Sequence, residues 1–202
     1  MSLRRRRPPG HRSSSGRSYA FTSLTPIRPD GLRPVADVLT RLSEGQSPFG
    51  RVASAHFARW LVIDGLKMGW PGAPRRPTQL TSSYLLFTAM ATAPAGTPIG
   101  GVPGHFLREV AERMPTEADA VWRNCYGFPG VEEPAAFADY LARSQLDTEL
   151  FYVGYSDVTP AEVRSAVDAN EAFLSFAAAH QREPDAAALQ RAFVEESSSW
   201  GT

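Results

Sequence analysis

The chain is poor in the features that most directly announce a chemistry. It has one cysteine, Cys125, in 202 residues. No internal disulfide can form, and the expected address is cytoplasmic. No apolar run approaches the about 20 residues of a membrane span, so no membrane partner is expected. The histidines are His11, His56, His105 and His180. They are scattered, with no Cys-x-x-Cys or His-x-x-x-His spacing, so no metal signature is present. The glycines of GTPIGGVPG (96–104) lack the lysine and the strand-to-helix setting of a phosphate loop. No Gly-x-Ser-x-Gly elbow occurs. Cys125 lies on the apolar side of an expected helix and reads as a buried thiol, since a nucleophile needs an electropositive, accessible place.

The formal net charge is +0, but the charge is unevenly placed. Residues 1–17 carry six arginines and no acid; removing these six from the 21 basic residues leaves 15 against 21 acidic ones. The body is therefore acidic, and nucleic acid is an unlikely partner apart from the arginine tail. Residues 1–18 are also rich in Pro, Gly and Ser and nearly devoid of apolar side chains. They are expected to form a disordered basic tail, and no apolar stretch follows the arginines to make an export signal. The folded domain is expected over 19–180, with a C-terminal helix and tail over 181–202.

Periodicity predicts a strand over 19–27, ended by Pro26 and Pro29. A helix over 31–42 follows, with Val35, Val38, Leu39 and Leu42 on one stripe. The next strand, 55–64, reads AHFARWLVID, and its apolar second half suggests cover on both faces. Residues 65–81 form a long Gly/Pro loop, a candidate lid. A strand over 83–89 precedes helices over 105–114, from Thr116 with Asp119 as a capping-box acid, and over 134–144. The string LFYVGY predicts a fourth strand over 150–155. Thr159-Pro160-Ala161-Glu162 opens another helix, and 184–196 is a last amphipathic one. The order is that of an α+β, ferredoxin-like split βαβ with a four-stranded antiparallel sheet and extra helices. One sheet face takes the helices, and the other needs a cover, most simply a second copy.

Within this frame His56 and Arg59 stand out, because a histidine and an arginine in an apolar strand are costly without partners. Two readings stay open. In one, Arg59 pairs with a carboxylate and His56 with a carbonyl, as structure. In the other, they are polar groups in an apolar pocket: His56 a general base or acid, Arg59 a holder of a carboxylate or oxyanion. Strand alternation points them to opposite faces unless a bulge intervenes. Position favours His56 as the residue nearer the cavity and Arg59 as the one paired with an acid. Tyr84 and Tyr152, or Tyr155, could bring a hydroxyl to the same space.

The strings TPIRP (25–29), SPFGRVASAHFARWLVID (47–64), SYLLFTA (83–89), VWRNCYGFPG (121–130) and LFYVGYSDVT (150–159) resemble a bacterial family of the dimeric α+β barrel type, over roughly residues 19–175. The resemblance implies a homodimer with a ligand space on the open sheet face. Its superfamily includes cofactor-free monooxygenases, small cyclases, muconolactone isomerase-like enzymes, chlorite dismutases and dye-decolorising peroxidases. The function it implies is an enzyme acting on an apolar small molecule, of oxygenase or cyclase/isomerase type, in secondary metabolism and without a cofactor. A haem-dependent, peroxidase-like protein is the alternative, with His105 or His180 as the iron ligand. A non-catalytic ligand-binding or scaffold protein is the other.

Overall fold

Alternation along three long strands decides which side of the sheet becomes core. The computed structural model describes residues 13–65, 79–92 and 94–200; the arginines before Ser13 and nearly all of the expected lid loop lie outside them. The chain forms two compact units, Met1–Asp157 and Val158–Thr202.

In the first unit, strands β1 (Ser14–Ser15), β2 (Ser18–Pro26), β3 (Ala55–Gly65) and β4 (Gln79–Thr92) make a four-stranded sheet in the order β1-β2-β4-β3. Every pairing is antiparallel. Thus β2 and β3 run parallel with β4 inserted between them, and helix α1 (Leu32–Ser43) lies between them in the sequence. Tyr19 and Phe21 from β2, with Leu85, Phe87 and Ala89 from β4, are buried on one side. Ala58, Trp60 and Val62 of β3 pack against the same core. Helices α2 (Val102–Arg113), α3 (Pro115–Trp122) and α4 (Pro134–Arg143) contribute Phe106, Leu107, Trp122, Phe137 and Leu141 to it.

Phe87 is the hub. Its ring stacks on Phe106 at 6.2 Å and meets Trp122 edge-on at 5.2 Å. Each such ring, once buried, stabilises the fold by about 1.5–3 kcal/mol, and edge-to-face pairs add about 0.5–1.5 kcal/mol.

Three expectations are corrected. The strand over 150–155 does not form: Leu150, Tyr152 and Tyr155 are 87%, 83% and 81% exposed. The reason lies at the outer edge of β2, whose pairing groups are already taken. Ser13 accepts from Ala20 N–H at 2.7 Å, and Ser144 accepts from Leu24 N–H at 3.0 Å. Leu146 donates to Thr22 at 2.8 Å, and Tyr126 donates to Pro26 at 2.9 Å. Ser14–Ser15 is instead the fourth strand.

Strand β3 is not covered on both faces, since Phe57 and Leu61 are about half exposed. Helix α3 starts at Pro115 with Met114 as N-cap and no side-chain cap, so Thr116 and Asp119 form no capping box. Proline at the first helical position removes one of the unpaired N–H groups of that end.

The second unit holds α5 (Pro160–Ala179) and α6 (Ala186–Ser197). The capping box at Thr159 and Glu162 is present in full. An aromatic cluster joins the two helices: Phe176 meets Phe193 at 5.7 Å and Trp200 at 5.8 Å. Among the described residues no helix is long and apolar enough to cross a membrane.

Candidate functional site

The sheet face opposite the core is built by the remaining parity of the same strands. Register sets its rows. Ala20, Met90 and Phe57 align across β2, β4 and β3, followed by Thr22, Thr88 and Arg59. Leu24, Leu86 and Leu61 come next, and Pro26, Tyr84 and Ile63 complete the face. None of these side chains is fully buried, and Phe57, Arg59 and Leu61 are exposed. Three of the four rows are apolar apart from the Tyr84 hydroxyl. The remaining row holds two hydroxyls and the only charge on the face.

Arg59 is therefore on the open face, not in an internal ion pair. Its Nε donates to Thr88 Oγ1 at 3.0 Å, and its guanidinium carbon lies 5.9 Å from the centre of the Phe57 ring. Among the described residues no carboxylate pairs with it. The expected pairing of Arg59 with an acid is therefore not found among the described residues.

His56 sits at a bulge, where the register with β4 shifts between Ala55 and Phe57. Its Nε2 is 2.5 Å from Thr92 Oγ1, and Thr92 is buried. Burial lowers the imidazole pKa from its ordinary value, because desolvation disfavours the cation. At neutral pH His56 is uncharged.

Of the other candidates, Tyr84 lies on the open face two rows from Arg59, or about 13 Å along the strand. Tyr152 stands in solvent on the segment that failed to join the sheet. The structure thus brings Arg59 and Tyr84 to one face, puts His56 at its end and leaves Tyr152 out.

Thr88, Thr22, Leu61 and Leu86 were missed as site residues. Alternation in SYLLFTAM signals the β4 members, with Tyr84, Leu86, Thr88 and Met90 on one side. Which side is open depends on where the helices pack.

The haem reading expects a histidine as the iron ligand. The face rows contain no histidine, and His56 Nε2 is engaged by Thr92. His105 belongs to α2, on the helical side, and His180 caps α5 with Nδ1 donating to Phe176 at 3.1 Å. None of these histidines is placed to hold a haem on this face. Among the described residues no group of three or more His, Cys, Asp or Glu could hold a metal.

Cys125 is buried, with Thr25 Oγ1 donating to its sulfur at 3.6 Å. Burial raises its pKa, which leaves it an inert thiol. Away from the face, a groove of about 480 Å³ opens beside Arg17, Gly96, Ile99 and Val102.

Comparison with protein-family models, with curated proteins and with solved structures finds no match for this chain.

Proposed function

We propose that the open sheet face binds an apolar small molecule, and that the chain acts on it as a cofactor-independent enzyme of the cyclase, isomerase or oxygenase type. The observation that carries this reading is Arg59, a charge set in an apolar face with no carboxylate partner among the described residues. Apolar walls with a few placed polar groups are how small-molecule sites are built. A guanidinium in such surroundings stabilises an oxyanion or enolate as it forms. His56, uncharged and at the end of the same face, is the group able to accept a proton.

The parallel pair β2 and β3 around β4 is a split βαβ unit, which supports a ferredoxin-like reading of the sheet. A face this apolar calls for a cover, and a second copy packed two-fold against it would enclose the ligand.

A non-catalytic binding role is the second reading. It is favoured by the engagement of His56 Nε2 with Thr92 and by the exposure of Tyr152 outside the strands.

The test is binding of the neutral dye Nile red to the full chain and to Leu61→Glu. The intact face should bind and brighten the dye, and a carboxylate placed at its centre should abolish the signal. Equal binding by both proteins would end the proposal. Turnover of a bound enolisable substrate, lost in His56→Ala, would separate the enzymatic reading from the second.

A further inference from the structure

We infer that the ligand of the open face is a monocarboxylate with an apolar body, its carboxylate held by Arg59, Thr88 and Thr22. This rests on the reading of that face as the ligand surface and adds the chemical class.

Arg59 is the only charged residue among the twelve register positions of the face. A guanidinium has five N–H donors, and among the described residues only Nε is used, on Thr88. The two Nη groups keep their donors free, in the fork that matches a carboxylate in two parallel hydrogen bonds. Thr88 Oγ1 accepts from Arg59, so its own O–H is free to donate. Thr22 is the next residue in the same row, and its hydroxyl has no hydrogen-bond partner among the described residues. The row therefore offers a cation flanked by two hydroxyl donors, and all of these groups favour one negatively charged oxygen pair.

The surroundings select the rest of the molecule. On one side of the polar row lies a single apolar row, of Phe57, Met90 and Ala20. Beyond it the face ends at Ser18 and Thr92, which are buried. On the other side lie Leu61, Leu86 and Leu24, then Ile63, Tyr84 and Pro26. Rows are about 7 Å apart, so an apolar body of about 13 Å fits between the anion and the Tyr84 row. A phosphate fits less well. It would bring a second charge to a face with no second cation, and an uncompensated charge among apolar side chains is costly.

Besides donating to the carboxylate, Thr88 positions Arg59. Its bond to Nε fixes the guanidinium over the sheet instead of leaving it free in solvent.

The experiment compares decanoate with decanol by calorimetric titration of the full chain, both below their aggregation limits. Decanoate should bind at least about tenfold more tightly, the worth of a charge-assisted pair. Arg59→Met should remove that preference and leave decanol binding unchanged, and since Arg59 is exposed the variant should keep its fold. Thr88→Val should weaken decanoate binding severalfold, and by less once Arg59 is already Met. Decanol binding as tightly as decanoate would overturn the carboxylate inference while sparing the apolar site. Failure of both to bind would overturn both. Inorganic phosphate competing as well as decanoate, or Arg59→Met splitting a dimer without touching the preference, would also overturn the inference, assigning Arg59 to another anion or to a contact between copies.

Discussion

Trp60→Ala and Leu61→Ala change neighbouring residues of one strand and should have very different costs. Trp60 points to the core: its ring lies 4.6 Å from Phe49 and 5.5 Å from Trp122. Removing it leaves a cavity among rings that cannot collapse, for about 3–5 kcal/mol. Leu61 lies on the open face and is 49% exposed. Its truncation loses roughly half of a side-chain transfer energy and leaves no cavity, for about 1 kcal/mol.

For a chain of this size each kcal/mol moves the midpoint by about 2–4 °C, so the two variants should differ by several degrees. The assay is thermal unfolding at a concentration where light scattering gives the 22.0 kDa of one chain. Equal losses for the two variants would refute the assignment of faces. At concentrations where a second copy closes over the sheet, the Leu61 cost should grow with concentration, as linkage requires.

Two further outcomes follow from the hydrogen bonds and the titration of the first unit. Because burial holds the His56 pKa below its ordinary 6.5, the unfolded chain binds the proton first on acidification. Stability should be level above about pH 6.5, fall as pH drops from there toward the folded pKa, and then level off; His56→Gln should lack that step in a pH series of melting curves. Glu109 accepts from the backbone N–H of Ala53 at 2.6 Å and of Ser54 at 3.2 Å, and from Ser54 Oγ at 2.5 Å. Glu109→Ala should cost about 1–3 kcal/mol through the abandoned donors, with faster amide exchange at Ala53 and Ser54. Unchanged exchange there would show that the carboxylate does not hold the entry to β3.

Much of the architecture was legible where a single strand or helix carries its own pattern. The strands over 19–27, 55–64 and 83–89, and the Thr159 capping box, needed only local sequence. What failed was decided elsewhere in the chain. LFYVGY has the composition of a strand, but the edge it would pair with is held by Ser13 from the adjoining turn and by Tyr126, Ser144 and Leu146 from distant segments that no window of sequence joins. Parity separated Arg59 from Trp60, yet it could not say which side the helices cover. The sequence also gives no sign of the bulge that turns His56 toward Thr92. A charge in an apolar strand suggested an internal partner; an open face solves the same problem with solvent, a threonine and an aromatic ring.

The most direct test of the account is methyl-resolved NMR of the full chain, labelled at leucine, isoleucine and valine, during titration with decanoate. The open face should respond, with the shifts of Leu24, Leu61 and Leu86 moving together and saturating, while Leu107 and Leu141 in the core stay still. Shifts confined to Ile99 and Val102, beside the groove near Arg17, or the absence of any response at the three leucines, would contradict it.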